Sequence, residues 1–242
     1  MNERRVFLKT TCLGATSIIM STWDENLKQD NLIHLYVKES NFRKVDEPSV
    51  IGFICTPSPE KIEKDLISLR KKTKYRTVFS HRSRDKYKLD FGKKIIDYFL
   101  NEPKLVFYSR IIFTKVNPKS KNLNLMYTSI YNASYERSLN EILASHKADS
   151  MHLNFNLEHK DLLAYMNKKY PNKRLKEESR TDHLHEICDF FTGTISGDST
   201  SAFTNPTKIA LSKYLKQKLK INNFSDLYSH SQNKKFVLLR TN

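Results

Sequence analysis

The stretch Leu32-Ile33-His34-Leu35-Tyr36-Val37-Lys38-Glu39-Ser40-Asn41-Phe42 decides the fold. Leu32, Ile33, Leu35, Tyr36 and Val37 form a nearly continuous apolar run with β-branched and aromatic members, as a strand covered on both faces requires. The run then breaks at Lys38, Glu39, Ser40 and Asn41. Open α/β sheets hold ligands at the carboxyl ends of their strands, so this polar end marks the candidate site.

Working outward, Ser49 to Cys55 reads as a second strand, antiparallel to the first through the loop Arg43 to Pro48. Thr56-Pro57-Ser58-Pro59-Glu60 is a helix start, with Ser58 as N-cap, Pro59 in the first helical position and Glu60 at the positive dipole end. Ile62, Leu66 and Leu69 mark its inner face as far as about Lys72. Further helices are predicted over Leu89 to Leu100, Tyr127 to Ser145, Glu158 to Lys169, Asp182 to Gly193 and Pro206 to Leu219. Strands are predicted over Lys104 to Val116, Met151 to Asn156, Arg174 to Lys176 and Lys235 to Leu239, with a flexible loop at Ser196 to Ser201. This alternation predicts an α/β domain with a mixed sheet.

A chain of 242 residues suffices for one such domain, and 14 Phe with 12 Tyr supply large core side chains. Only 5 Gly and 7 Pro argue against a turn-rich all-β fold. The expected division is 1–31, an extension and linker, and 32–242, the α/β domain. Cys12, Cys55 and Cys188 are too few for a disulfide framework, leaving a Cys55–Cys188 bond or buried thiols as alternatives. The chain has no Gly-rich phosphate loop, no His-Glu-x-x-His and no nucleophile elbow, so nucleotide-fold, zinc-protease and triad readings lack support.

In the extension, Arg4-Arg5-Val6-Phe7-Leu8-Lys9 precedes an uncharged segment to Trp23. The order resembles a twin-arginine export signal, which implies a periplasmic location. Glu3 departs from the usual Ser or Thr, and no Ala-x-Ala site follows. The alternatives are an amphipathic helix and a cytoplasmic protein. The segment is too short to span a membrane, and no transmembrane helix is expected.

The net charge is +16, and setting Glu3, Arg4, Arg5 and Lys9 aside leaves 39 basic against 25 acidic residues, or +14. Such a body attracts polyanions, with nucleic acid first and anionic envelope polymers as the alternative for an exported protein. The densest run holds Arg70, Lys71, Lys72, Lys74, Arg76, His81, Arg82, Arg84, Lys86 and Lys88, interleaved with Tyr75, Phe79 and Tyr87. Cations that grip phosphates and aromatics that stack bases make this mixture, and so does a solvated loop with a few core aromatics. Lys208, Lys213, Lys216, Lys218 and Lys220 on the helix from Pro206 make a second basic face. On the helix from Asp182, spacing puts Asp182, Glu186 and Asp189 on one face with His185 beside them, an oxygen and imidazole set suited to a Mg²⁺ or Mn²⁺ ion. Surface ion pairing produces the same stripe.

Tyr36-Val37-Lys38-Glu39-Ser40-Asn41 and Glu186-Ile187-Cys188-Asp189-Phe190-Phe191-Thr192-Gly193 together resemble the two ends of a bacterial family, the domain of unknown function numbered 3800. That family opens with Tyr-x-Asp-Glu-Ser-Gly and closes with Gln-Leu-Ala-Asp-Leu-x-Ala-Gly. The resemblance implies a ribonuclease-H-like α/β fold, a mixed sheet flanked by helices. It also implies a carboxylate cluster holding Mg²⁺ for phosphodiester cleavage. The cluster is degenerate here. Lys38 stands for the leading Asp, the middle acid falls on or near Arg76, and Asn156 replaces the acid of a later strand. Asp189 is retained, with Glu39 beside the lost position, so these two are the catalytic candidates. Asp182, His185, Glu186 and Asp189 are the metal candidates, and Lys38, Arg76, Arg82, Arg84 and Lys86 the nucleic-acid-binding ones. A Lys38 ammonium is expected to pair with Asp189 and to repel a divalent ion. The implied function is nucleic-acid binding with weak or no nuclease activity, the alternative an active metal-dependent nuclease.

Overall fold

A computed structural model describes residues 32–40, 47–79, 86–113, 123–148, 150–155, 160–170, 175–177, 182–200, 205–228 and 234–239. The polar end Lys38-Glu39-Ser40 still belongs to the first strand, β1 (Leu32–Ser40). It pairs antiparallel with β2 (Ser49–Thr56), and β2 pairs antiparallel with β3 (Val106–Ile112). On its other side β1 runs parallel to β4 (Ser150–Phe155), which is parallel to β5 (Leu175–Glu177). A last strand, β6 (Phe236–Leu239), lies parallel to β3. The six strands make one sheet in the order β5-β4-β1-β2-β3-β6. This mixed sheet with helices on both faces is the architecture expected of a ribonuclease-H-like α/β domain.

Strand alternation divides the core in two. One face presents Tyr36, Val50, Ile54, Phe107 and Ile111 to α1 (Pro59–Thr73), α2 (Lys88–Asn101), α5 (His183–Thr200) and α6 (Pro206–Leu219). The other presents Leu35, Val37, Ile51, Phe53 and Leu153 to α3 (Leu123–His146) and α4 (Lys160–Lys169). Cys55 and Cys188 fall in different cores and are free thiols, so the bond considered for them does not form.

Local chemistry sets the helix starts. Pro59 opens α1 with Glu60 in its first turn, although the Ser58 side chain makes no capping bond. The Asn205 side chain accepts from Thr207 and Lys208 backbone N–H and so caps α6. The loop expected at Ser196 to Ser201 is corrected: α5 continues through both glycines to Thr200. Ile195 and Ser196 are buried there, and Thr192 and Thr194 bond back to the carbonyls four residues before them. Packing against the sheet outweighs the loop-like composition.

Candidate functional site

Alternation along β1 sends its two charged residues to opposite sides of the sheet. Lys38 shares a face with Tyr36, under α5, and Glu39 shares a face with Val37, under α3. The Tyr135 hydroxyl of α3 donates to Glu39, and burial first, then the Glu39 charge, pushes that phenol well above its ordinary pKa. Asp189 belongs to α5. The catalytic candidates Glu39 and Asp189 are therefore not brought together, because the sheet lies between them.

The placement of α5 follows from a glycine. Lys38 pairs with Gly52 on β2, and a Cβ on Gly52 would sit 1.9 Å from Thr192 Oγ1 and 3.0 Å from the Phe107 ring. Only a bare backbone lets the helix approach so closely. The Cys188 thiol donates to the Tyr36 carbonyl at 3.1 Å, and burial pushes its pKa up to about 12.

The metal candidates are tied into the framework. Asp182 lies before the first turn of α5, where Oδ1 accepts from the His185 backbone N–H at 2.7 Å and sits 3.0 Å from His185 Nδ1. His185 is fully buried, and its Nε2 donates to the Asn154 carbonyl of β4 at 3.1 Å. Glu186 turns the other way, where Oε2 accepts from Arg70 and, at 3.0 Å, from the Phe79 backbone N–H. His183 bonds Glu63 of α1 at 2.7 Å. Among the described residues no three His, Cys, Asp or Glu side chains form a group that could hold a metal ion.

Asp189 keeps different company. Nearby, α2 and α6 pack closely where Gly92 of α2 lies against Leu211 of α6; an added Cβ would be 2.7 Å from a Leu211 methyl. That crossing brings Lys88, one turn before Gly92, towards Lys208, one turn before Leu211. Lys88 is only 3% exposed; burial first, then the Lys208 charge, holds its pKa below the ordinary value, and Asp189 opposes both. Burial lowers Lys208 as well, again opposed by Asp189. Lys38 and Asp189 both act on the Cys188 thiol. The direct ion pair expected between Lys38 and Asp189 is not among those that the described residues form. Among the described residues, the charges of Lys88 and Lys208 bear on Asp189, and that of Lys38 on the neighbouring Cys188.

The surrounding basic surface is partly as expected. Arg76 and Lys86 are exposed, with Lys86 Nζ 5.0 Å from the Tyr87 ring centroid. Phe79 packs 4.8 Å from Phe190, which keeps this segment beside the Asp189 end of α5. Arg82 and Arg84 lie outside the described residues, as does Asn156. Tyr75 and Phe79 are corrected from stacking platforms to core: each is 1% exposed, and Tyr75 stacks on Phe91 at 4.5 Å. Arg70 caps the same rings, 5.2 Å from Tyr75 and 5.1 Å from Phe91. On α6, Lys216 pairs with Asp198 and Lys218 with Asp97, which removes two cations from the expected phosphate-tracking face.

These residues do not fit a catalytic Mg²⁺ or Mn²⁺. Glu39 is across the sheet, Glu186 is held by Arg70, and the charges of Lys88 and Lys208 bear on Asp189. Lys88 and Lys208 are the functional candidates that sequence reading leaves among ordinary basic runs. Their separation of 120 residues carries no pattern, and only the helix crossing unites them.

No family model matches the sequence, and no curated protein matches it. Among solved structures, a chain of the complex of PCNA and RNase HII from Archaeoglobus fulgidus is similar, with a TM-score of 0.42 and 11% identity over 87% of this chain and 97% of that one.

Proposed function

We propose that the protein binds nucleic acid through the lysine centre at the end of β1 and has little or no nuclease activity. The observation that carries the reading is the buried Lys88, on which the charges of Lys208 and Asp189 both act, with Lys38 acting beside Asp189 on the Cys188 thiol. Ammonium groups attract phosphates and exclude the divalent ion that water activation at this kind of centre needs. The exposed cations Arg76 and Lys86 extend the surface, and the +16 charge steers polyanions toward it. The kinship to the family of unknown function numbered 3800 belongs to the same proposal, with this chain as a degenerate member. So does export through the Arg4-Arg5 segment, which would make anionic envelope polymers the competing partner.

Fluorescence anisotropy with a labelled oligonucleotide tests the reading, alongside a cleavage assay with Mg²⁺ or Mn²⁺. Binding that weakens in Lys38→Glu and Lys208→Glu, with no cleavage in either metal, is the expected result. Metal-dependent cleavage abolished by Asp189→Asn would refute it, and binding indifferent to both lysines would move the interface elsewhere.

A further inference from the structure

Pairing on α1 engages its inner acids and leaves its outer cations bare. Glu63 accepts from the Leu184 backbone N–H at 3.0 Å, Asp65 accepts from the Tyr98 hydroxyl at 2.9 Å, and Lys61 pairs with Glu102 at 2.6 Å. Lys64, Lys71, Lys72, Lys74 and Arg76 are exposed, and among the described residues no carboxylate pairs with them. Ile62 and Leu66 face the core, so Lys64, Ile67, Lys71 and Lys74, spaced by three and four, share the outward face. Ile67 is 40% exposed there. The turn that follows α1 is held from inside: Tyr75 and Phe79 are buried, the Tyr75 hydroxyl donates to the Val78 carbonyl at 3.0 Å, and Arg70 donates to the Thr77 carbonyl. That anchoring leaves the Val78 side chain 55% exposed, two residues from Arg76. Two aliphatic side chains thus accompany five cations, with Glu60 as the acid at the start of the face.

We propose that this face of α1 and the turn after it dock on the surface of an anionic lipid bilayer. Lys64, Lys71, Lys72 and Lys74 meet headgroup phosphates, while Ile67 and Val78 enter the boundary with the acyl chains. Charge complementarity carries the match. Five cations less Glu60 leave four positive charges on one side of the molecule, and each cation near anionic lipid raises partition about fivefold. The shape agrees, since a helix of 15 residues, about 22 Å long, offers a convex flank that a plane surface meets along its length. Nucleic acid fits this face less well: Tyr75 and Phe79 lie in the core and cannot stack on bases, and a phosphate backbone gives Ile67 and Val78 nothing to bury against. The inference does not depend on the nucleic-acid reading, with which it shares Arg76 alone.

The test is co-sedimentation of the full chain with vesicles of phosphatidylcholine and phosphatidylglycerol in equal parts, and with vesicles of phosphatidylcholine alone. Binding to the anionic vesicles only, weakened by added salt, is the expected result. Lys64→Gln/Lys71→Gln lowers that partition about 25-fold, or about fivefold for each lysine, while the thermal unfolding curve stays near wild type. Ile67→Ser lowers it as well and leaves oligonucleotide affinity unchanged. Lys71→Gln alone, with a loss of about fivefold, serves should the double variant fail to fold. Equal binding to both kinds of vesicle, or binding to neither, overturns the inference. Anionic-vesicle binding that survives the lysine variants overturns the assignment to α1. Parallel loss of vesicle and oligonucleotide binding in the lysine variants, with no effect of Ile67→Ser, overturns the lipid assignment and makes the face part of a nucleic-acid surface.

Discussion

Substituting Gly52→Ala tests whether α5 is seated on the sheet as described, since that seating places Asp189 beside Lys88 and Lys208. The added methyl would lie 1.9 Å from Thr192 Oγ1 and 3.0 Å from two carbons of Phe107. Non-bonded carbon and oxygen do not approach so closely, so helix or strand must yield by about 1 Å. Neither yields cheaply. Thr192 Oγ1 is bonded to the Cys188 carbonyl at 2.7 Å, and the Cys188 thiol to the Tyr36 carbonyl at 3.1 Å. Overpacking of this kind costs about 1–3 kcal/mol and sometimes more, and the severity of the contact puts the expected loss near 3 kcal/mol. Denaturant unfolding reads it as a lowered midpoint at unchanged slope. Thr192→Ala removes the obstructing oxygen, so the double variant should be more stable than the sum of the two single losses by about 1 kcal/mol or more. A Gly52→Ala protein within about 0.5 kcal/mol of wild type, or strict additivity with Thr192→Ala, would refute the close approach.

Other expectations follow from the same contacts. Glu186→Gln strips the charge facing Arg70, with side chains 9% and 16% exposed respectively. Because the pair is partly solvated, the expected cost in denaturant unfolding is about 2 kcal/mol, below the range for a fully buried pair; no measurable loss would show that the pair adds nothing. Burial, and then the His152 charge, depresses the pKa of His34, and burial alone depresses that of His146. Between those lowered values and about 6.5 the unfolded chain therefore binds protons that the fold does not, so stability is retained above this window and lost as pH falls through it. Replacing both with Gln should flatten the slope of thermal stability against pH there. Fusing residues 1–30 to a reporter active only after folded export should give signal that is lost when Arg4 and Arg5 become Lys, because lysine lacks the guanidinium geometry; a signal indifferent to the change would remove the export proposal.

The framework was legible because burial writes itself into composition. The apolar run at Leu32–Val37 and the Ser58-Pro59-Glu60 start each led to the element observed. Where reading failed, tertiary contacts outweighed local pattern. Ser196 to Ser201 looks like a loop, yet the helix seated at Gly52 runs on to Thr200. Tyr75 and Phe79, set among cations, look like a base-stacking platform, yet they fill the core beside Phe91 and Phe190. Period-two alternation alone separates Lys38 from Glu39, a signal present in the letters but hidden by treating the strand end as one polar cluster. The convergence of Lys88 and Lys208 had no sequence signal at all, since it depends on two helices crossing at Gly92 and Leu211.

The central claim is that Lys38 and Lys208 meet phosphate at the end of β1. Its most direct test is the slope of log affinity against log salt for an oligonucleotide, in wild type and in Lys38→Ala/Lys208→Ala. Each lost phosphate contact should make the slope shallower by about 0.7 on a single strand, or about 0.9 on a duplex. The double variant should therefore be shallower by about 1.4–1.8, with weaker binding at low salt. An unchanged slope and affinity would contradict the account and place the phosphate contacts outside this centre.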